Sequence, residues 1–403
     1  MNIFIKRNEN ETVENFEFEL VERKGVGHPD TICDAIAETA SKNYSKFCVE
    51  NFGNPAHHWF DKVMLIGGEA NVDFKNGNIE KPYTIIFAGK VSYSVGEVKI
   101  PLEKILFESC VEVLENVLTG FDRHSHLVIE NKLVDYQGAG RKDSRYKPSD
   151  ISKLPKLDNE HLVSNDTNLL SAYAPLSTLE NIVLKTEQYI NGKAFKTRNP
   201  DTGWDVKVFG TRTGDEYNLL VNMPFLAKDI SSIEEYFFRK KEILAELQDF
   251  LDKNYAVKID LMMNATDRNG RAYLTALGSV ADTGDVGVVG RGNRYNGLIT
   301  PMRPMSIEAP AGKNSVDHTG KLYGILANDL AHGIFEKYKV PVEVHIYTAK
   351  ETRLNNPDKV IMKLNNINLN SEVINDIEEY VQEKVRNVGD ISRKLIFEGI
   401  TMW

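Results

Sequence analysis

The sequence predicts an α+β protein built from three comparable units, and two observations carry this prediction. Patterns typical of strands and helices alternate along the whole chain and group into three rounds of strands, helices and strands. A chain of 403 residues also exceeds what one hydrophobic core usually organises, so two or three domains are expected. The sequence has no repeat with a fixed period, so the three units are inferred from the pattern of elements alone.

The first unit opens with Phe16, Phe18 and Leu20, which alternate with other residues as in a half-buried strand. Pro29 suits a first helical turn, and the apolar residues after it recur at helical spacing, which predicts one buried helix face. That face is formed by Ile32, Ile36, Ala40, Tyr44 and Phe47. The unit continues with predicted strands at residues 62–66, 84–93 and 127–129 and a predicted helix at residues 102–118.

Two capping boxes, each a serine followed three residues later by a glutamate, predict helices that begin after Ser177 and Ser232 and end near residues 190 and 255. Residues 138–161 are polar, contain two prolines and lack periodicity, which predicts a long loop. The other predicted elements are strands at 206–208, 217–221, 257–262, 272–277, 342–347 and 360–364, and helices at 320–338 and 372–385.

Bulk properties exclude several classes of protein. A net charge of −9 argues against general affinity for nucleic acid or anionic membranes. The N-terminus has no hydrophobic signal core, and no apolar run approaches the roughly 20 residues of a membrane span. The three cysteines, Cys33, Cys48 and Cys110, have no CxxC spacing. We therefore expect a location in the reducing cytoplasm.

Residues 284–321, called the basic segment below, are the most informative part of the chain. They contain seven glycines and a net charge of +2 inside an acidic protein. Glycines let backbone N–H groups approach an anion closely, while arginine and lysine supply charges that fit phosphate oxygens. Ile299, Pro301, Pro304 and Ile307 are interleaved with the charges, which predicts an ordered loop crossing apolar surface rather than a solvated one. A polyphosphate is the expected ligand.

A second informative stretch, ERKGVGHPD, lies between the first predicted strand and the first predicted helix. His28 and Asp30 flank a helix N-terminus, where backbone N–H groups favour an anion. Asp30 is an oxygen ligand suited to Mg²⁺, and His28 could donate a hydrogen bond or a proton to a leaving oxygen. The alternative is that Asp30 only caps the helix and that His28 is a surface residue.

Other familiar motifs are absent from the sequence. It has no P-loop, no complete dinucleotide fingerprint and no GxSxG elbow. The pairs His57–His58 and His124/His126 lack a second cluster at zinc spacing. No side-chain nucleophile is evident either.

The stretches ERKGVGHPDTICDAIAE, IGGEA, NDTNLLSAYAPLSTLENIVLKTE and VGRGNRYNGLITPMRPMSIEAPAGKNSVDHTGKLYGILAN resemble the S-adenosylmethionine synthetase (methionine adenosyltransferase) family, in its archaeal-type branch. The resemblance covers about residues 20–330. It implies attack of the methionine sulfur on C5′ of ATP, departure of the whole triphosphate, and its hydrolysis to pyrophosphate and phosphate. It also implies three similar α+β domains in a pseudo-threefold arrangement, with mixed sheets covered by helices on one face.

The resemblance assigns roles to individual residues. His28 matches the histidine beside the oxygen that joins ribose to triphosphate, and Asp30 matches a metal ligand. Glu69 and Asp285 match acidic positions of the methionine pocket. The catalytic candidates are His28, Lys313 and Arg291; the ATP and phosphate candidates are Arg294 (from charge alone), Lys321, Gly138, Ala139 and Gly140; the second metal candidate is Asp317, allowing a short gap.

The sequence departs from the family pattern at three places. Thr31 replaces the lysine that follows HPD in the bacterial and eukaryotic branch. Residues 137–143 read QGAGRKD where GxGSxDL is usual, so the acidic residue is displaced and two basic residues intrude. Archaeal-type members often carry asparagine near the position of Asp317. These differences leave the nucleotide contacts and the second metal ligand open.

Family members are dimers or tetramers with shared active sites, so we expect a homodimer or homotetramer that uses Mg²⁺, with any K⁺ requirement open. The predicted domains are 1–125, 126–255 and 256–403, with strands exchanged between them. Two other functions remain open at this point. One is a Mg²⁺-dependent phosphohydrolase or phosphotransferase that retains only the polyphosphate site, and the other is a non-catalytic nucleotide-binding subunit.

Overall fold

The computed structural model describes residues 1–8, 12–136, 144–158, 162–269 and 271–403, and within them it is an α+β protein, as predicted. The α-helices are α1 (Pro29–Phe52), α2 (Leu102–Val117), α3 (Thr178–Ile190), α4 (Lys193–Arg198), α5 (Ile233–Asn254), α6 (Thr319–Tyr338), α7 (Ser371–Arg386) and α8 (Gly389–Phe397). The strands are β1 (Asn2–Arg7), β2 (Phe18–Lys24), β3 (His58–Ile66), β4 (Glu69–Asp73), β5 (Asn76–Lys81), β6 (Tyr83–Val91), β7 (Ser94–Val95), β8 (Val98–Lys99), β9 (Leu127–Val134), β10 (Asn168–Ala174), β11 (Lys207–Thr213), β12 (Glu216–Asn222), β13 (Phe225–Leu226), β14 (Ile259–Met263), β15 (Leu274–Thr275), β16 (Val286–Val288), β17 (Val342–Thr348) and β18 (Lys359–Leu364).

Three four-stranded mixed sheets share one pattern. Sheet I has the order β9-β6-β3-β16, sheet II the order β14-β12-β11-β2, and sheet III the order β1-β18-β17-β10. In each order the first two strands are parallel and the next two pairs are antiparallel. The three comparable units inferred from the sequence are therefore present as a repeat of topology without a repeat of sequence.

The connections between the sheets follow a cycle. The antiparallel edge strand of each sheet leads into the centre of another sheet: β2 of sheet II through α1 into β3 of sheet I, β10 of sheet III through α3 and α4 into β11 of sheet II, and β16 of sheet I through α6 into β17 of sheet III. Strands of every sheet therefore lie on both sides of the predicted domain boundaries at 125/126 or 255/256. Those boundaries stay a prediction.

Helices cover one face of each sheet, as expected. Helices α1 and α2 pack with sheet I, α3 and α5 with sheet II, and α6 and α7 over sheet III, each around its own apolar core. The opposite faces carry large apolar side chains that are exposed in this single chain. They are Met64, Ile66, Val128 and Val286 on sheet I, Phe18, Leu20 and Met262 on sheet II, and Phe4, Leu169 and Tyr347 on sheet III.

The predicted helices match the structure closely, whereas several strands differ. Ser177 forms the predicted capping box with Glu180. The strand predicted at 272–277 is confined to β15, which pairs with the two-residue strand β13. The structure also contains strands and helices that were not predicted from the sequence, namely β1, β4, β5, β7, β8, β10, β13, β16, α4 and α8. Phe16 lies outside β2, where it ends a short 3-10 turn.

Candidate active site

Two glycines fix the turn that joins β2 to α1. Gly25 N donates to Val206 O at 2.6 Å, and Gly27 N donates to Trp204 O at 3.1 Å. A Cβ on either glycine would overlap the backbone of the segment it approaches. This close contact requires glycine, and it determines where the N-terminus of α1 lies.

His28 caps that N-terminus. Its Nδ1 accepts a hydrogen bond from Asp30 N at 3.2 Å. Burial lowers the pKa of His28 to about 4, although the Asp30 carboxylate acts in the opposite direction. A neutral imidazole that accepts at Nδ1 carries its proton on Nε2. The His28 side chain is therefore mostly buried, and its Nε2–H is a hydrogen-bond donor. The alternative that His28 is an ordinary surface histidine is wrong.

Asp30 joins the start of α1 to the basic segment. Its Oδ1 accepts from Val288 N at 2.9 Å, and its Oδ2 accepts from Lys24 Nζ at 2.8 Å. Lys24 Nζ also donates to Arg291 O at 2.6 Å. Because His28 is the cap, the alternative that Asp30 does no more than cap the helix is wrong. Each carboxylate oxygen retains a second lone pair that a cation could use.

Residues 288–294 of the basic segment are called its first turn below. The two arginines of this turn differ in their surroundings. The Arg291 side chain is exposed, while its backbone is held by Lys24. The Arg294 guanidinium donates to Gly290 O at 2.5 Å and to Gly292 O at 3.0 Å. Arg294 thus braces the loop from within, and Arg291 is the arginine available to an incoming anion.

The apolar residues of the basic segment also differ in their contacts. Ile299 forms a β-bridge with Glu22, which ties the segment to β2 as expected for an ordered loop. Ile307 is 93% exposed, so the expectation that it covers apolar surface is wrong in this single chain.

Lys313 lies between two carboxylates. Its Nζ is 2.8 Å from Asp61 Oδ2 and 2.6 Å from Glu308 Oε1. Burial alone would lower the pKa of Lys313, but these carboxylates outweigh it and the net shift is upward. Lys313 is therefore charged at neutral pH. Glu308 is the more exposed of its partners and the one that a phosphate could replace.

Lys321 is fully buried at the start of α6. Its Nζ is 2.6 Å from Glu38 Oε2 and donates to Lys313 O at 2.9 Å. Burial lowers the pKa of Lys321, although Glu38 acts in the opposite direction. The ammonium supports the backbone that carries Lys313, and the direct phosphate contact predicted for it stays a prediction.

The two acidic residues assigned to methionine lie near the junction of β3 and β16. Gly68 N donates to Ala281 O at 2.9 Å, and this bond brings the strand that starts with Glu69 towards the start of the basic segment. Glu69 is exposed and paired with Lys81. Asp285 Oδ1 accepts from Val286 N at 2.9 Å, and its charge acts on His28.

Asp317 has a feature that fits a cation. It is 4% exposed, and its Oδ2 lies 3.5 Å from the Arg145 guanidinium and 3.8 Å from His57 Nδ1. Its buried Oδ1 has no hydrogen-bond partner in the described part of the chain. No group of three or more His, Cys, Asp or Glu side chains suited to a metal occurs among the described residues. The carboxylate oxygens of Asp30 and Asp317 nevertheless suit Mg²⁺, which proteins commonly bind through one or two carboxylates together with substrate phosphates.

The glycine-rich stretch assigned to the nucleotide, Gly138, Ala139 and Gly140, lies outside the described residues. The described part of the predicted long loop, residues 144–158, contains a single 3-10 turn, Ile151–Lys153. Because Arg145 contacts Asp317, this loop reaches the same region as the basic segment.

Several buried acidic residues of the site were missed from the sequence. Asp34 Oδ1 accepts from Gly290 N at 2.8 Å, and burial raises the pKa of Asp34 to about 7. Asp205 Oδ2 accepts from Val280 N at 3.0 Å, and burial raises its pKa to about 7 as well. The position of Asp34 one helical turn after Asp30 was a usable signal. Nothing in the local sequence marks Asp205.

The fold and the site together define an α+β protein in which the N-terminus of α1 lies against a glycine-rich basic segment. The family model of S-adenosylmethionine synthetase (AdoMet synthetase) matches residues 1–399, and the chain belongs to this family. The chain is 35% identical to an S-adenosylmethionine synthase of Sulfolobus acidocaldarius over 410 aligned positions, covering 100% of this chain and 99% of that protein.

Two further comparisons agree. An S-adenosylmethionine synthase of Aeropyrum pernix is 38% identical over 341 aligned positions, covering 83% of this chain and 81% of that protein. A solved structure described as an unusual S-adenosylmethionine synthetase from Campylobacter jejuni matches with a TM-score of 0.59 and 13% identity, over 94% of this chain and 93% of that one. The last similarity concerns the fold. In the described part of the chain, no helix has the length and apolar character needed to cross a membrane.

Proposed function

We propose that the protein is a methionine adenosyltransferase that makes S-adenosylmethionine from ATP and L-methionine and hydrolyses the released triphosphate to pyrophosphate and phosphate. The observation that carries the proposal is the bond between Asp30 and Val288 N, 258 residues apart in sequence, inside a chain that belongs to this family. That bond places His28 and Asp30 beside the basic segment.

In the reaction the methionine sulfur attacks C5′ of ATP, the bond from C5′ to its oxygen breaks, and that oxygen takes the electron pair. The sulfur lone pair is already nucleophilic, so the protein has to position the reactants in line and stabilise the departing charge. Arg291 and Lys313 would bind the triphosphate, with Glu308 moving away from Lys313. The Nε2–H of His28 would donate to the oxygen that leaves C5′.

Asp30 and Asp317 are the residues that would hold magnesium. Bound Mg²⁺ would neutralise charge on the triphosphate oxygens and make it a better leaving group. The buried free Oδ1 of Asp317 supports this assignment. We assign the methionine ammonium to Glu69 and Asp285, which lie in sequence just after β3 and just before β16, where Ile66 pairs with Val286. A K⁺ requirement is a question for the same assays.

We further propose a homodimer, or a tetramer of such dimers, in which active sites lie at the interface between subunits. The exposed apolar faces of the three sheets support this assembly, because such patches on a single chain commonly mark interfaces. Phe18 and Leu20 lie on β2, which ends at Lys24 beside the site. A cytoplasmic location is proposed as well, supported by three buried free cysteines.

The test is incubation of the purified protein with ATP, Mg²⁺ and methionine, followed by mass analysis of the products. A sulfonium nucleoside, formed only when methionine is present, is the expected product. Release of phosphate from ATP at the same rate without methionine would instead identify a phosphohydrolase. Binding of ATP with no turnover at all would identify a non-catalytic subunit.

A further inference from the structure

One face of α1 carries a row of polar side chains that are buried, and these side chains recur every three or four residues. On a helix this spacing places them in one stripe. Buried carboxylates are costly unless they are hydrogen-bonded or paired, so a stripe of them requires partners. The members are Asp30, Asp34, Glu38 and Ser41, all under 8% exposed.

Every member of this stripe bonds to the backbone of the basic segment. Asp30 and Asp34 accept from alternate amides of its first turn, at Val288 and Gly290. Glu38 and Ser41, in the C-terminal half of this stripe, bind a second turn of the basic segment at residues 312–313, more than twenty residues after the first. There Glu38 Oε2 accepts from Gly312 N at 3.1 Å, and Ser41 Oγ donates to Lys313 O at 3.1 Å.

The contact between Asp34 and the first turn leaves no spare room. A Cβ on Gly292 would overlap Asp34 Oδ2, so the loop lies directly on the carboxylate. The Arg294 guanidinium also holds this turn, because it donates to Gly290 O and Gly292 O. The backbone from 288 to 292, which presents Arg291, is thus clamped between Asp34 and Arg294.

The second turn is held in a comparable way. Glu38 binds both Gly312 N and the ammonium of Lys321, and Lys321 in turn donates to Lys313 O. A single carboxylate therefore fixes the backbone on which Lys313 stands. Both turns are attached to one rigid helix, so their separation is set by the spacing of Asp34 and Glu38 along α1.

We propose that Asp34 and Glu38 are positioning residues that set the distance between Arg291 and Lys313 for a polyphosphate. This inference rests on the proposed function of those two cations. Neither carboxylate contacts the ligand: Asp34 is 4% exposed and Glu38 is 5% exposed, and each is covered by the segment it holds. Their oxygens are used internally, as acceptors for amide N–H groups and for the Lys321 ammonium.

The central experiment compares Asp34→Ala with Asp34→Asn in the full-length protein. Asparagine keeps an acceptor for Gly290 N, and alanine does not. Calorimetric binding of inorganic tripolyphosphate with Mg²⁺ should weaken about 10-fold for Asp34→Ala, as expected when one buried hydrogen bond is lost. Asp34→Asn should stay within about 3-fold of the parent, since its hydrogen bond persists. The KM for ATP should rise in Asp34→Ala while the KM for methionine does not change.

Asp267→Ala is the matched control. Asp267 is also a buried carboxylate, bound to Tyr236 OH at 2.6 Å and Lys240 Nζ at 2.9 Å, and it does not contact the basic segment. The Asp267→Ala variant should have a lower thermal stability than the parent and the same affinity for tripolyphosphate. Equal affinity of folded Asp34→Ala and parent for tripolyphosphate would overturn the inference, as would an equal loss in Asp267→Ala.

Gly292→Ala tests the same contact from the loop side, and it decides the matter if Asp34→Ala fails to fold. The added methyl must push Asp34 or the loop aside, so tripolyphosphate binding should weaken; unchanged binding would contradict the inference. Arg291→Ala and Lys313→Met separate this inference from the proposed function. If both cation variants lose affinity and Asp34→Ala does not, only the inference fails. If the cation variants also bind normally, the proposed site itself is wrong.

Discussion

Under the proposed function, the Lys313 side chain would be held in place for the triphosphate before the triphosphate binds. Its ammonium is neutralised by Asp61 and Glu308, and only Glu308 is substantially open to solvent. A phosphate can therefore exchange with Glu308 while Asp61 keeps the side chain in place. During such an exchange the buried Lys313 ammonium would always have a negatively charged partner.

Replacing Lys313 by methionine should lower kcat/KM by on the order of 10²-fold, like the loss of one charge-stabilising donor. The measurement is steady-state production of S-adenosylmethionine. Lys241→Met, at an exposed position of α5, is the control and should leave the rate unchanged. Equal kinetics of Lys313→Met and parent would remove Lys313 from the site.

His58 gives a prediction about pH. Burial lowers the pKa of His58 to about 3, whereas the unfolded chain titrates near 6.5. The stability contributed by neutral His58 is thus complete above pH 6.5 and is lost as the pH falls towards 3. The free energy of unfolding of the parent, minus that of His58→Gln, should shrink by about 2 kcal/mol between pH 6.5 and 5. Urea titrations at both pH values measure it, and a constant difference would contradict the shift.

The sequence singled out candidate residues that stand in motifs, namely His28, Asp30 and Lys313, and their roles stay a prediction. It missed Asp34 and Glu38, although they follow Asp30 at one-turn spacing, because a buried polar position on a helix cannot be recognised until its partner is known. That partner is a backbone amide more than 250 residues away. Side-chain identity predicts what a residue can bind, and only the fold shows what is within reach.

Strand β16 links helix α1 to the basic segment. It has only three residues, and its central Gly287 lies against the carbonyl of Pro29, where a Cβ would overlap. A strand this short with a glycine at its centre lacks the alternation that sequence analysis relies on. This explains why β16 was not predicted, whereas the long helices with regular apolar faces were.

Gly287→Ala should therefore destabilise the protein by about 1–3 kcal/mol through overpacking, and it should also lower activity because the basic segment shifts away from α1. Gly53→Ala, at the opposite end of α1, is the control. Gly53 has a φ of 80° and open space around its Cβ position, so its replacement should cost about 1 kcal/mol and leave kcat/KM unaltered. Thermal unfolding and steady-state rates measure both effects. Full activity in Gly287→Ala would show that the contact does not position the segment.

For the whole molecule, the open sheet faces lead to a prediction about assembly. Phe18 on sheet II is 52% exposed, and Phe238 on the outer side of α5 is 61% exposed. Phe18→Asp should disrupt the proposed dimer and reduce activity, because a carboxylate in an apolar interface is strongly unfavourable. Phe238→Asp should leave the assembly intact. Light scattering after size-exclusion chromatography distinguishes the two, and a dimer unaffected by Phe18→Asp would place the interface elsewhere.

The three-unit α+β plan could be predicted from alternating patterns, yet the identity of the exchanged strands could not. Periodicity identifies a strand such as β2 but carries no information about its neighbours. The pairing of β2 with β11 joins residues almost two hundred positions apart. Such pairings depend on which edges remain open once the helices have packed, and that is a property of the assembled chain.

Strand β1 pairs in parallel with β18, so that Asn2 lies opposite Lys359. The third unit can therefore reach its final form only after β18 has been synthesised. Excised fragments would each lack an edge strand and expose unpaired backbone. Limited proteolysis should accordingly give either intact protein or small peptides, with no stable single unit between them.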